Sequence, residues 1–266
     1  MVAGDRAQSG RWSGSAYPQS ARHHRVVDEW FLERHRPRPG DVVVDLGCGS
    51  GEFTARLAAM VPDGRVIGVE PDPSMLEAAS RHAAPNLEFR QATAERLDEV
   101  VAESSADLVV SRAVLHWLPV DSYPHCFDAV FRVLRPGGWF HSESGGAGNT
   151  AGVVALVERT GAEYGISPSP PSFLDAGTGF DLVEAAGFDI PVNGVRTVAQ
   201  RRSFTREELV AFLHNQASVA LTSATEGGDA GALRAALTAA ADELRRADGS
   251  YDQTFVRLEI LAQRPA

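Results

Sequence analysis

The sequence predicts a doubly wound α/β fold, and three successive features of one stretch indicate it. Val42–Val44 is a short β-branched apolar run of the kind that forms a buried strand. Glycines at alternate positions follow it, and helix-forming residues then occupy Glu52–Met60. A strand, a glycine loop and a helix in this order are typical of the first βα turn of a parallel sheet, where the loop and the helix N-terminus hold a cofactor.

The loop itself indicates which kind of cofactor is bound. Asp45 precedes Gly47, Gly49 and Gly51, so the pattern is D-x-G-x-G-x-G, and the third glycine comes one position earlier than in the dinucleotide pattern. A carboxylate at Asp45 would repel a pyrophosphate by roughly 4 kcal/mol at about 4 Å and an effective dielectric of about 20. No Lys-Ser or Lys-Thr follows, which excludes a P-loop. A cationic ligand without phosphate, such as S-adenosylmethionine, would be attracted instead.

With this motif the chain resembles the class I S-adenosylmethionine-dependent methyltransferases. The resemblance implies a Rossmann-like, seven-stranded, mostly parallel sheet with an antiparallel last strand and helical cap insertions. It also implies S-adenosyl-L-methionine as cofactor and S-adenosyl-L-homocysteine as product.

Further cofactor contacts are expected beyond the loop. Glu70 ends the predicted second strand about 20 positions after the last glycine, where an acidic side chain accepts both ribose hydroxyls. By resemblance, Pro71 and Asp72 flank the adenine, and Thr93 replaces an aspartate that many relatives use for the adenine amino group. The residues expected to contact the cofactor are Asp45, Gly47, Cys48, Gly49, Gly51, Glu70, Pro71, Asp72, Thr93, Ala94 and Ser111.

The substrate side is expected after the predicted fourth strand, because ligands of open α/β sheets bind at the carboxyl ends of the strands. Leu115-His116-Trp117-Leu118 resembles the corresponding segment of small-molecule methyltransferases, namely the trans-aconitate methyltransferase-like and natural-product tailoring group. His116 is the first candidate for a general base, and a structural histidine is the alternative. The expected substrate-binding residues are Tyr17, Arg112, His116 and Trp117, and the weaker site candidates are His23, His24, His141 and Glu143.

Strand and helix patterns alternate along the rest of the chain. Further strands are predicted at residues 65–70, 86–91, 107–110, 139–143, 194–202 and 253–261. Further helices are predicted at residues 19–36, 75–82, 123–134, 153–164, 175–186 and 205–221, and a helical stripe of Leu233, Leu237, Ala240, Ala241 and Leu244 follows. Leu134–Gly138 is predicted as a tight turn, and Thr205 with Glu208 as a capping box.

These elements suggest a core with two cap excursions. We expect an N-terminal lid segment and helix at residues 1–36 and a cofactor-binding core at 37–144. A cap excursion at 145–174 is followed by more of the core at 175–202, a helical cap at 203–250 and the last strand of the core at 251–266. The two excursions would together roof the substrate pocket.

Composition narrows the class of partner. The formal net charge of −10 disfavours a nucleic-acid partner, which needs a basic face. His116 and His125 lack a third ligand, so no metal site is expected. The two cysteines indicate free thiols, and no signal peptide or apolar run of about 18 residues occurs, so a cytoplasmic protein without membrane contact is expected. Both a monomer and a homodimer remain open.

The predicted function is methyl transfer to a small molecule, in first place to a carboxylate or hydroxyl oxygen by in-line displacement. Methylation of carbon or nitrogen in a natural-product-type metabolite is the alternative within the class. A protein that binds S-adenosylmethionine without transferring its methyl is an alternative outside it.

Overall fold

The computed structural model describes residues 30–165, 171–222 and 230–266. Of the predicted N-terminal helix, residues 30–34 are helical. Phe31 and Leu32 of this segment are buried in a hydrophobic cluster with strand residues of the sheet, which anchors the segment. The predicted lid residues Tyr17, His23 and His24 lie outside the described residues.

In the described part of the chain, seven strands form one sheet. They are β1 Val42–Leu46, β2 Arg65–Glu70, β3 Leu87–Gln91, β4 Ala106–Arg112, β5 Leu134–Gly145, β6 Val195–Arg202 and β7 Gln253–Gln263. Their spatial order is β3-β2-β1-β4-β5-β7-β6. β7 runs antiparallel to β5 and β6, and the other neighbours are parallel. The predicted fold class is therefore confirmed, and the strand order reverses between β1 and β4, where such sheets bind ligands.

Helices cover both faces of the sheet. They are α1 Glu52–Met60, α2 Pro73–Ala79, α3 Leu97–Val100, α4 Tyr123–Val133, α5 Ala151–Glu163, α6 Ala176–Ala185, α7 Arg206–Thr222 and α8 Ala230–Ala240. α1 and residues 30–34 pack on one face, and α4 and α6 pack on the other, each in its own hydrophobic cluster. Burial of these apolar helix faces, at roughly 25 cal/mol per Å² of apolar surface, fixes the layers.

A third hydrophobic cluster lies outside these two layers. Val153 and Leu156 of α5 pack there with Leu209 and Leu213 of α7 and with Leu237 of α8. Both predicted cap excursions therefore contribute to one small core, although the proposed division of the chain into core and cap stays a prediction. None of the helices that the structure describes is long and apolar enough to cross a membrane.

The predicted turn at Leu134–Gly138 lies inside β5, and the predicted strand 139–143 is too short at both ends. Ala106 pairs with Leu134, and Leu108, two residues later, pairs with Trp139, so β5 carries extra residues against β4. Gly137 has φ +77°, a conformation that glycine adopts without strain. The Pro-Gly-Gly residues thus mark an irregularity in the backbone, but the chain forms a bulge there and continues to pair with β4 instead of turning.

Side-chain caps fix the starts of α2 and α7. Asp72 accepts hydrogen bonds from the backbone N–H groups of Ser74 and Met75, so α2 begins at Pro73, two residues earlier than predicted. The predicted capping box is confirmed. The Thr205 N–H donates to Glu208 Oε2 at 2.9 Å, and the Glu208 N–H donates to Thr205 Oγ1 at 3.1 Å.

Candidate functional site

The glycine loop joins β1 to α1 at the carboxyl ends of β1 and β2. The backbone N–H groups of Gly47 and Cys48 both donate to Val69 O, at 2.7 and 3.1 Å. Gly47, Gly49 and Gly51 all have positive φ, which explains why glycine stands at each alternate position. The loop is therefore a rigid left-handed turn tied to the end of β2.

The three glycines face different surroundings. A Cβ on Gly47 would lie 2.3 Å from Val114 Cγ2, and one on Gly51 would lie 3.0 Å from Ala79 Cβ. These two glycines allow close packing of the loop against the protein. A Cβ on Gly49 would meet no atom of the described residues within 4 Å. Among the described residues, Gly49 is thus the loop position with open space beside it, where a ligand can approach the backbone.

Glu70 stands beside this open position at the end of β2. Its Oε2 accepts the Gly49 N–H at 3.0 Å, and its Oε1 accepts the Asp72 N–H at 3.2 Å. The side chain is mostly buried, and burial raises the pKa of Glu70, while its two backbone hydrogen bonds oppose that rise. The carboxylate is therefore held in one orientation next to Gly49.

Asp45 lies beneath the loop and is buried. Thr54 of α1 donates its hydroxyl to Asp45 Oδ2 at 2.7 Å. Burial raises the pKa of Asp45 to about 7, with the Thr54 hydrogen bond opposing the rise and the charge of Glu70 adding to it. Sequence reasoning missed Thr54, because nothing in the helix pattern marks it as a partner of Asp45.

These contacts fit a cationic ligand better than a phosphate. A loop that binds pyrophosphate offers its backbone N–H groups to the ligand. Here the N–H groups of Gly47, Cys48, Gly49 and Gly51 all donate to acceptors inside the protein. The carboxylate of Glu70 lies beside Gly49 and the buried carboxylate of Asp45 lies beneath the loop, so a positive group there would stabilise their ionised forms.

The residues expected around the adenine hold mainly local structure. Asp72 caps α2, and Pro71 O accepts a hydrogen bond from the Gln91 side chain at 3.0 Å. Thr93 is exposed, whereas the neighbouring Ala94 is buried. The structure places these residues at the carboxyl ends of β2 and β3, and their contacts with adenine stay a prediction.

On the expected substrate side, Ser111 and Arg112 lie at the carboxyl end of β4, at the same edge of the sheet as the glycine loop. Ser111 is buried, and its hydroxyl donates to Leu46 O at 3.1 Å, which links β4 to the end of β1. The Arg112 guanidinium lies 4.9 Å from the centre of the Phe53 ring. Ser111 thus supports the loop from behind.

His116 is buried in a short 3₁₀ turn after β4. Its Nδ1 accepts the Gly145 N–H at 3.2 Å, and its ring lies 4.7 Å from the Trp117 ring and 5.8 Å from the Phe173 ring. Burial lowers the pKa of His116 to about 3, and the charge of Arg257 adds to the effect. His116 is therefore a neutral imidazole with its proton on Nε2, where it is a donor.

The two weaker candidates on β5 have different surroundings. His141 is buried and its ring is stacked parallel on that of Phe31 at 3.8 Å, beneath residues 30–34. Glu143, two residues nearer the carboxyl end, forms an ion pair with Arg257 of β7. Sequence reasoning missed Arg257. The available signal was the pair Arg257 and Glu259, two charged residues at alternate positions of one predicted strand.

Within the described ranges, no three His, Cys, Asp or Glu side chains group as a metal site would require.

Comparison with known proteins identifies the family. The family described as Methyltransferase domain matches residues 43–138. Methyltransferase AN0656 of Emericella nidulans is 31% identical over 206 residues, which cover 67% of this chain and 68% of that protein. The chain belongs to the class I S-adenosylmethionine-dependent methyltransferases. The cofactor of this family is S-adenosyl-L-methionine, as the loop predicts.

Two further similarities differ in how much of the chain they cover. A trans-aconitate 2-methyltransferase of Deinococcus radiodurans is 42% identical over 101 residues, which cover 38% of this chain and 36% of that enzyme. The similarity to this relative thus spans about a third of each protein. The YcgJ protein of Bacillus subtilis has a TM-score of 0.63 at 18% identity, and the match covers 91% of this chain and 100% of that chain. This structural similarity concerns the fold.

The open face of Gly49 predicts a selective effect of adding one methyl group. Gly49→Ala should weaken S-adenosylmethionine binding by tenfold or more, because its Cβ would occupy the space where the ligand meets the loop. Gly137→Ala is the matched control, because Gly137 also has positive φ and no described atom within 4 Å, but lies in the β5 bulge. Both variants should lose about 1–2 kcal/mol of stability from the left-handed backbone. Calorimetric titration and thermal unfolding separate the two effects, and equal affinities would contradict the assignment.

The raised pKa of Asp45 predicts a pH dependence of cofactor binding. Below about pH 7 Asp45 is increasingly protonated in the free methyltransferase, so binding a cation must first release that proton. Affinity for S-adenosylmethionine should therefore rise between pH 5.5 and 8, by up to tenfold per unit on the acid side. Asp45→Asn should bind weakly, with a flatter profile, and Thr54→Val should move the midpoint to higher pH. A profile unchanged by Asp45→Asn would refute this role.

Proposed function

We propose that this chain transfers the methyl group of S-adenosylmethionine to an oxygen atom of a small molecule, either a carboxylate or a hydroxyl. One observation supports the proposal most directly. Glu70 is fixed by two backbone hydrogen bonds beside the open face of Gly49, with Asp45 beneath. This arrangement suits a ligand that carries ribose hydroxyls at one end and positive charge at the other.

The cofactor supplies a methyl group on a sulfonium, whose leaving group is a neutral thioether. The protein has then mainly to align the acceptor atom with that methyl group and to exclude water. Asp45 and Glu70 hold the cofactor from the β1 and β2 side. Trp117 and Phe173, which flank His116, supply apolar walls at the carboxyl ends of β4 and β5.

His116 suits the role of a hydrogen-bond donor and is poorly suited to that of a base. Its Nδ1 lone pair already accepts the Gly145 N–H, so its remaining ring nitrogen carries the proton. We therefore replace the base role expected from the sequence by donation from Nε2 to an acceptor oxygen.

The proposed activity is tested by binding and by turnover. Calorimetry with S-adenosylmethionine should show a saturable interaction, whereas NAD should show none. S-adenosylhomocysteine should form when the protein is supplied with a hydroxyl or carboxylate acceptor, with trans-aconitate and simple phenols as the first probes. Binding of NAD alone would refute the proposal. Cofactor binding without product, or product formed only with amines or carbon acids, would favour the alternatives.

The donor role of His116 has a separate test. His116→Ala should leave cofactor affinity within about twofold and lower turnover, because an acceptor oxygen loses a hydrogen bond. The pH profile of kcat/KM should show no limb from His116 between pH 5 and 9, because burial keeps this imidazole neutral throughout that range. An acidic limb that is present in the wild type and absent from His116→Ala would restore the base role.

A further inference from the structure

Glu143 occupies the carboxyl end of β5, next to the proposed substrate side. It pairs in register with Arg112 of β4, and its backbone carbonyl accepts the Ala113 N–H at 2.7 Å. Its side chain is only 1% exposed. The strand therefore brings a buried carboxylate to the edge of the sheet where the family's ligands bind.

The two oxygens of this carboxylate have different surroundings. Oε1 accepts a hydrogen bond from Arg257 Nε, whereas Oε2 is buried and has no hydrogen-bond partner among the residues that the structure describes. A buried carboxylate oxygen without a donor is costly, and such an oxygen in a folded protein calls for an explanation. A bound ligand that donates a hydrogen bond would supply one.

Contacts connect this carboxylate with His116. Arg257, which holds Oε1, pairs across the sheet with Gly145, and the Gly145 N–H donates to His116 Nδ1. The charge of Arg257 acts on the His116 imidazole. Glu143 and His116 are thus linked through Arg257 and the Gly145 amide, and both border the carboxyl end of β5.

We propose that Glu143 Oε2 accepts the hydrogen bond of the methyl acceptor and takes up its proton, so that the acceptor is a hydroxyl compound of the phenol class. This inference rests on the proposed function and narrows it. In this proposal Glu143 takes the role of general base, for which the sequence analysis named His116 as the first candidate.

The proposed step balances as follows. The acceptor oxygen forms a bond to the methyl carbon while the bond from sulfur to that carbon breaks, and its electron pair returns to sulfur. The hydroxyl proton passes to Glu143 Oε2. The positive charge of the sulfonium and the negative charge of the carboxylate both disappear, which leaves a methyl ether, S-adenosylhomocysteine and a neutral Glu143.

Charge and shape favour a phenol over the alternatives. A carboxylate acceptor would place two negative oxygens together at Oε2. A cationic acceptor is disfavoured because three guanidinium groups, from Arg34, Arg196 and Arg257, pair with Glu143 and its cross-strand neighbour Glu259. The aromatic rings of Trp117 and Phe173 beside His116 suit a flat apolar body.

The chain offers a matched control for the test. Glu259 lies directly opposite Glu143 on β7, is equally buried and also has one oxygen without a partner among the described residues. Its ion pairs are with Arg34 and Arg196, not with Arg257. Glu143→Gln and Glu259→Gln therefore remove comparable buried charges, and only the first removes the proposed base.

Both variants and the wild type are titrated with S-adenosylhomocysteine, and the complexes are titrated with protonated 4-nitrophenol. Glu143→Gln should bind this probe at least about tenfold more weakly than Glu259→Gln. Turnover is then measured with phenol, 4-nitrophenol and catechol and with trans-aconitate. Glu143→Gln should lower kcat/KM for the hydroxyl compounds by about 10²–10⁴-fold, the usual range for a general base, and Glu259→Gln should not.

The outcomes distinguish the proposed role of Glu143 from the proposed methyl transfer itself. Equal effects of the two variants, or a wild-type protein that methylates trans-aconitate but none of the three hydroxyl compounds, would overturn the role of Glu143 and leave methyl transfer intact. A wild-type protein that fails to bind S-adenosylmethionine would overturn the proposed function itself. If Glu143→Gln does not fold, the wild-type preference for hydroxyl over carboxylate acceptors still decides the inference.

Discussion

The hydrogen bonds of one carboxylate hold the cofactor side of this protein together. Glu70 at the end of β2 accepts the N–H of Gly49 in the loop after β1 and the N–H of Asp72 at the start of α2. Two connections that belong to different βα units are thereby fixed relative to each other. The open face of Gly49, the Asp72 cap and the end of β2 all depend on this bridge, because each would shift if the carboxylate turned away.

The same region suits a cationic ligand better than a phosphate. Four backbone N–H groups of the loop already donate to acceptors within the protein, so few are left for a phosphate. The loop lies above Asp45, whose pKa burial raises to about 7, and beside Glu70. Desolvation thus makes these carboxylates costly to ionise in the free protein, and a bound positive charge offsets that cost. Affinity and charge selectivity have the same physical origin.

Buried charged side chains also lie on the other side of the point between β1 and β4 where the strand order reverses. Glu143 and Glu259 face each other on β5 and β7, surrounded by arginines from β6, β7 and residues 30–34. Removing such ions from water costs several kcal/mol each, which their partners must offset. Pairs of this kind define local geometry more than they add stability. Here the pair of Glu143 and Arg257 lies at the end of β5, next to Gly145, whose N–H donates to His116.

The sequence by itself determined the fold class and the cofactor family. Strand and helix periodicity and the glycine spacing are local properties, so Val42–Gly51 identified the first βα turn, and the pair Thr205 and Glu208 identified a capping box. Local signals also misplaced β5, because a Pro-Gly-Gly turn and a bulge have the same residues and only pairing with β4 distinguishes them.

Only the tertiary structure shows the surroundings of the candidate residues on the substrate side. Whether His116 is a base depends on which group its Nδ1 contacts, and that group, the Gly145 N–H, is 29 positions away. Whether Glu143 is a stronger candidate for the base than His116 depends on its contact with Arg257. Only the antiparallel pairing of β7 with β5 brings Arg257 beside Glu143. Protonation and hydrogen-bond partners are properties of an environment assembled from distant segments. Residue type alone could therefore name these side chains but could not assign their chemistry.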